Sequence, residues 1–235
     1  VKRFSAVWSP LFFFALAPAS AVLAQDALST NQDSALYRGE ESMLAGSYAA
    51  ASEIFSQADG LDRIDGLIGA SRALVMMGNY LEAEEIVAEA IEDGAYADFP
   101  LLTTQLAEIK RMTGQSRAAL EILQRAIEGN AEPPVRSLVQ YGSLLKFTGQ
   151  QGQWQQVLDR VVQRYNAGLV FSSEDVAMVA LASWLMGNFH DANSLFDEAT
   201  RANPNNLEAH TLWADLFLEK YNAADAERSY QDALD

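Results

Sequence analysis

The chain has 235 residues, 49% of them hydrophobic, so it contains ample apolar material for a sizeable core. Its 32 acidic residues outnumber its 16 lysines and arginines, and the formal net charge of −16 opposes binding to the phosphate backbone of nucleic acid. Cysteine is absent, which excludes structural disulfides, thiolate metal sites and an N-terminal lipidated cysteine. There are only 6 prolines, and the β-branched runs typical of strands are missing. The composition therefore predicts an all-α protein.

Residues 1–24 differ in kind from the rest of the chain. Lys2-Arg3 precedes an uncharged apolar run that ends in small residues at Ala24. This order is typical of a secretory signal peptide with cleavage after Ala24, followed here by a short polar linker, residues 25–31. An uncleaved membrane anchor is the alternative, since the run is about long enough to span a bilayer, although two prolines interrupt it. We expect an exported, periplasmic protein whose mature chain has no membrane span.

One helix-turn-helix pattern recurs after the linker, and Ser173–Asn206 is its clearest copy. Apolar residues three and four positions apart give each of its two helices one apolar stripe. Gly187 is expected to end the first helix in the left-handed conformation, and Asn188 to cap the second. Pro204 then closes the unit because a proline cannot continue a helix. Neither helix can bury its stripe alone, so the unit needs neighbours.

Six copies of this unit fill residues 32–235 with a period of about 34 residues. They align on the residue expected at the turn: Gly46, Gly78, Gly114, Gly152, Gly187 and Tyr221. The predicted repeats lie near 32–63, 64–99, 100–134, 135–172, 173–206 and 207–235. The fourth copy carries a few extra residues around Gln150-Gln151-Gly152. Stacked hairpins of this kind form a solenoid with a concave and a convex face.

The pattern resembles the tetratricopeptide repeat (TPR) family, whose helix-turn-helix units of about 34 residues carry small residues where the two helices pack. In the clearest copy the matching positions are Ala180, Gly187, Phe189, Ala192, Phe196, Ala199 and Pro204. The resemblance implies a right-handed α-solenoid of about six repeats. It also implies a protein or peptide partner that lies in a concave groove lined by the first helix of each repeat.

Transferring the family's groove positions to this sequence gives ten candidate residues. They are Arg72, Met76, Arg111, Met112, Arg136, Lys146, Phe147, Leu181, Trp184 and Leu185. Four cations are notable in so acidic a chain, and we expect them to meet acidic groups of a partner. Two hypotheses remain open for Trp184: an aromatic anchor for the partner, or a side chain that packs against the next hairpin.

No pattern of catalytic, cofactor-binding or metal-binding residues is found in the sequence. The two histidines, His190 and His210, lie in different repeats, and neither belongs to a His-Glu-x-x-His zinc motif. Adjacent acids such as Glu84-Glu85 point in different directions on a helix, so they are better explained as a solvated face. The sequence therefore predicts no enzymatic activity and no cofactor.

The main hypothesis is a non-catalytic periplasmic repeat scaffold that mediates protein–protein interaction through its concave groove. The alternative is the N-terminal TPR recognition arm of a larger envelope enzyme or export assembly, such as a peptidase or a polysaccharide-export machine. We expect a longer protein, because the sequence stops at Asp235 within the second helix of the sixth hairpin and terminal repeats normally carry a polar cap. The sequence leaves the identity of the partner, the pathway and the oligomeric state open.

Overall fold

The computed structural model describes residues 34–93, 99–150 and 152–234. Within these ranges the chain forms twelve α-helices, one 3₁₀ turn at Gly60–Asp62 and no strand. The helices are α1 Ala35–Leu44, α2 Tyr48–Phe55, α3 Arg63–Met76, α4 Tyr80–Glu92, α5 Pro100–Met112, α6 Ser116–Glu128, α7 Val135–Phe147, α8 Gln153–Asn166, α9 Ser173–Leu185, α10 Phe189–Ala202, α11 Leu207–Glu219 and α12 Ala223–Asp232. The predicted signal peptide, 1–24, and the predicted linker, 25–31, lie outside the described residues.

Consecutive helices pair into six hairpins that stack in chain order. Each odd-numbered helix packs on the helix that follows it and also on the odd-numbered helix of the next hairpin. Each even-numbered helix packs on the first helix of the next hairpin. This pattern of contacts is that of an α-solenoid, in which the first helices form one face and the second helices the other.

All six hairpins turn with the same backbone motif. In the fifth hairpin, the N–H of Gly187 donates to the carbonyl of Trp184 at 2.8 Å, and the N–H of Asn188 donates to that of Ser183 at 2.9 Å. Gly187 has the predicted positive φ, 87°, which glycine adopts without a steric penalty. In the sixth hairpin Tyr221 takes this position with φ 58°, and it is the one non-glycine residue with positive φ in the described ranges.

The fourth hairpin departs from the predicted alignment on Gly152. Gly149 takes the turn position there, with φ 77° and a hydrogen bond from its N–H to the carbonyl of Lys146. Gly152 also has a positive φ, but it directly precedes α8. The alignment on Gly152 was wrong because the extra residues follow the turn, and they provide a second glycine there.

The predicted capping by Asn188 was also wrong in its detail. Asn188 does precede α10, but its side chain accepts no hydrogen bond from that helix. In the sixth hairpin, the equivalent Asn222 accepts a hydrogen bond from the backbone N–H of Asp225 at 3.4 Å. The same residue type at the same position therefore caps one helix and leaves the other uncapped.

Small residues allow the helices of each hairpin to approach closely. Phe55 is 2% exposed, and its ring lies against Gly39 of α1 and Gly69 of α3. An added Cβ at either glycine would lie 2.5–2.6 Å from the ring, which real side chains do not tolerate. In the fifth hairpin, Ala192 and Phe196 are fully buried, which confirms their predicted place in the packing.

Candidate functional site

The first helices enclose a concave groove with a volume of about 750 Å³. All six first helices, α1, α3, α5, α7, α9 and α11, contribute to its walls. We use "the groove" for the surface formed by Met43, Asp65, Arg72, Met76, Glu108, Arg111, Met112, Arg136, Met178, Leu181, Glu208 and Leu212. Its volume falls within the range of about 300–1,000 Å³ that is typical of ligand-binding clefts.

Six of the ten predicted residues line the groove. They are Arg72, Met76, Arg111, Met112, Arg136 and Leu181. Met76 is 56% exposed and Met112 is 43% exposed, although both are large and apolar. Methionine side chains are flexible and polarisable, and they are common on surfaces that adapt to different partners. The groove wall in the second and third hairpins therefore includes accessible apolar surface.

The other four predicted residues lie outside the groove, at the C-terminal ends of α7 and α9. Phe147 is exposed to solvent, whereas Leu185 is half-buried. The ammonium group of Lys146 donates a hydrogen bond to the carbonyl of Leu185 and lies 5.0 Å from the centre of the Trp154 ring. A cation at a helix C-terminus is favourable because it meets the exposed carbonyls there. Lys146 therefore links the fourth hairpin to the fifth.

Trp184 makes its polar contact with the next hairpin. Its indole N–H donates to the carboxylate of Glu219, at the end of α11, at 2.7 Å. Its half-buried ring packs against the core formed by the fourth to sixth hairpins. The structure thus places Trp184 in the contact between hairpins, as the second of the two sequence-based hypotheses proposed.

Two arginines of the groove form ion pairs, one within a single helix and the other between two hairpins. Arg111 donates two hydrogen bonds, at 2.9 and 2.6 Å, to Glu108 on its own helix. Arg136 donates two hydrogen bonds to Glu208, one of them from Nη1 to Oε1 at 2.8 Å. Because Arg136 lies on α7 and Glu208 on α11, this ion pair passes over α9 and joins the fourth hairpin to the sixth.

Sequence reasoning missed Glu208 because its partner is two repeats away. The sequence does contain one indication of this contact, because the two residues occupy the same position in their repeats. Arg136 is the second residue of α7, and Glu208 is the second residue of α11. Equivalent positions lie on the same side of the solenoid, so opposite charges there can meet if the array curves enough. The curvature itself is not visible in the repeat pattern.

The charges of the Arg136–Glu208 pair stabilise each other. The hydrogen bond to Glu208 raises the pKa of Arg136 more than burial lowers it. Burial alone would raise the pKa of Glu208, but the hydrogen bonds and charge of Arg136, with the charge of Arg72, bring that pKa below its usual value. Nearby Asp175 has a raised pKa because burial outweighs the opposing effect of Arg136 and Arg164.

The described residues contain no group of three or more His, Asp or Glu side chains arranged to hold a metal ion. His210 is buried, and its Nε2 lies 2.9 Å from the carbonyl oxygen of Pro204, so it helps to fix the start of the sixth hairpin. None of the helices in these ranges combines the length and the apolar character needed to cross a bilayer.

A solved TPR structure shares the architecture described above. No protein-family model and no curated protein matches the sequence. Among solved structures, the TPR protein TTC0263 of Thermus thermophilus is 18% identical to this chain. The match covers 80% of this chain and 99% of TTC0263, and the two superpose with a TM-score of 0.54. PilF of Pseudomonas aeruginosa is 20% identical over 72% of this chain and 74% of its own, with a TM-score of 0.45. The similarity to TTC0263 confirms the predicted all-α solenoid, and the chain has the fold of a tetratricopeptide-repeat protein.

Proposed function

We propose that the chain is a non-catalytic scaffold that holds a segment of another protein in the groove. The observation that carries this proposal is the exposure of Met76 and Met112 on the wall of a concave site built from all six first helices. Single exposed apolar residues are normal on protein surfaces, but neighbouring ones in a concave site mark places where a partner binds.

The groove offers two kinds of contact, and they act on different steps of binding. A partner that covers Met76 and Met112 removes their apolar surface from water, which slows dissociation. Arg72 and Arg111 are exposed at the same wall, and charges of this kind mainly accelerate the encounter with a partner of opposite sign. The methionines therefore supply most of the affinity, and the arginines supply orientation and speed.

Export to the periplasm is a second part of the proposal. It is supported by Lys2-Arg3, the apolar run that follows and the small residues up to Ala24. Mass spectrometry of the protein isolated from its native envelope should find a chain that begins at Gln25. An intact N-terminus that co-fractionates with membrane would favour the anchor alternative.

Site-specific photo-cross-linking in the native cell tests the scaffold proposal. A photoreactive phenylalanine analogue is placed at Met76 or Met112, and at Leu81 as the control. Leu81 is 83% exposed at the start of α4, a second helix, and does not line the groove. We expect the same partner protein to be cross-linked from both groove positions and not from Leu81. Cross-linking from Leu81 alone would contradict the groove as the binding surface.

A further inference from the structure

We infer that the groove binds a peptide segment with one acidic side chain, and that this carboxylate replaces Glu208 on Arg136. The inference rests on the proposed function and specifies the chemistry of its ligand. In the free protein, Glu208 occupies the site that the partner's carboxylate takes in the complex. The sixth hairpin thus competes with the partner for Arg136.

Two arginines from different hairpins act on the Glu208 carboxylate. Arg136 of the fourth hairpin binds it through two hydrogen bonds, the geometry in which a guanidinium recognises a carboxylate most specifically. Arg72 of the second hairpin acts on it through space and forms no hydrogen bond or ion pair of its own within the described ranges. A carboxylate at this point is therefore stabilised by positive charges from two different hairpins.

The charge of the groove limits the ligand to one such carboxylate. Three cations and three acids line it, namely Arg72, Arg111, Arg136, Asp65, Glu108 and Glu208. These charges balance while Glu208 is in place. When Glu208 leaves, one positive charge is uncompensated, and a single acidic side chain restores the balance. Asp175 also acts on Arg136 through space, which disfavours a second acid at the same point.

Glu208 is free to leave because neither partner of the ion pair is deeply buried. The side chain of Arg136 is 34% exposed and that of Glu208 is 39% exposed. Partly exposed ion pairs contribute little to folding stability, since side-chain entropy and screening offset much of the attraction. Glu208 lies in the first turn of α11, so a change of its rotamer moves the carboxylate to solvent without unfolding the helix.

The groove offers apolar contacts in addition to the charge of Arg136, since Met76 and Met112 are exposed on its wall. An acidic residue with apolar neighbours therefore suits a groove that offers Arg136 together with Met76 and Met112.

Selection from a random octapeptide library displayed on phage tests the inference with a defined probe. The purified protein is compared with the Glu208→Gln, Arg136→Gln and doubly substituted variants, each checked by circular dichroism and thermal unfolding. We expect the parent protein to enrich peptides that carry one Asp or Glu beside apolar residues. Glu208→Gln should bind these peptides roughly fivefold tighter, because the competing negative charge is gone. Arg136→Gln should lose the preference for an acidic residue.

Two controls keep the result interpretable. Glu227→Gln removes an exposed acid from α12, outside the groove, and separates competition by Glu208 from a general effect of net charge. In the doubly substituted variant neither Arg136 nor Glu208 remains as an unpaired charge. This variant is therefore measured in place of Arg136→Gln if Arg136→Gln unfolds. Enriched peptides without an acidic residue, or a Glu208→Gln variant that binds no tighter than Glu227→Gln, would overturn the inference and leave the proposed function standing. Failure of every folded variant to enrich any peptide would contradict the proposed function itself.

Discussion

The predicted groove residues of the second and third hairpins are exposed, whereas Arg136, Lys146 and Trp184 of the fourth and fifth hairpins bond to neighbouring hairpins. Met76 and Met112 are exposed, and Arg111 pairs with a residue of its own helix. By contrast, Arg136 reaches the sixth hairpin, and Trp184 donates to Glu219 of the sixth hairpin. One end of the groove is thus available to a partner, and the other end holds the stack together.

This difference shows that residue type and repeat position do not decide whether a side chain is available for binding. Lys146 is a cation at a groove position of the repeat, yet its charge is directed at Leu185 and Trp154. Arg72 is a cation in an equivalent helix and makes no such contact within the described part of the chain. What decides is the presence of an acceptor on the next hairpin.

The largest effect should come from the exposed methionines. Replacing both Met76 and Met112 by glutamate puts two charges where an apolar surface is needed, and should weaken binding of a selected octapeptide by about 100-fold or more, if each site behaves as a binding hot spot. Isothermal titration calorimetry measures this. The matched control is Leu81→Glu, which adds a charge at an exposed apolar residue outside the groove. Equal weakening by the control would show that charge alone is responsible.

A smaller effect, on stability, is expected at Trp184. Because its ring is half-buried against the fifth and sixth hairpins, Trp184→Ala should lower the free energy of unfolding by about 2 kcal/mol in urea titrations. Trp184→Phe keeps much of the packing and loses the hydrogen bond to Glu219, so it should cost about 1 kcal/mol. Neither change should alter octapeptide binding. Normal stability with weakened binding would instead support the role of Trp184 as an anchor for the partner.

Arg111 should affect the association step of binding and not the dissociation step. The side chain is 49% exposed and already paired with Glu108, so Arg111→Ala should lower the association rate of an acidic octapeptide about threefold at low salt and leave dissociation unchanged. Stopped-flow fluorescence at two salt concentrations measures both rates. The control is Arg201→Ala, which breaks a similar exposed pair with Asp197 on a second helix. A faster dissociation from Arg111→Ala, or an equal loss of association rate in Arg201→Ala, would contradict this role.

The smallest effect concerns the titration of Glu208. Its pKa is lowered in the folded protein, so it stabilises the fold above its unfolded pKa, and that contribution disappears as the pH falls through the folded value. The contribution should stay within about 0–1 kcal/mol because the pair is partly exposed. Carboxyl-carbon NMR should show Glu208 titrating below the exposed glutamates. In Arg136→Gln the pKa of Glu208 should rise, since the charge of Arg72 then opposes burial without the help of Arg136.

The repeat pattern was enough to predict the hairpins, because helix periodicity and turn glycines are local features. Gly187 adopts the predicted left-handed conformation, and Ala192 and Phe196 are buried as expected. The alignment failed at Gly152 because two glycines lie close together there, and only the hydrogen bonds identify Gly149 as the turn. Glu208 was not predictable, since its contact with Arg136 depends on how strongly the whole solenoid curves.

Methyl NMR of the chain's 6 methionines tests the groove assignment most directly. The protein is labelled with ¹³C at the methionine methyl groups and titrated with the selected octapeptide. Met43, Met76, Met112 and the buried Met178 line the groove, whereas Met77 and Met186 do not. We predict that the signals of Met43, Met76 and Met112 shift or broaden as the peptide binds, while those of Met77 and Met186 keep their positions. Shifts at Met77 and Met186, with Met76 and Met112 unchanged, would contradict the account.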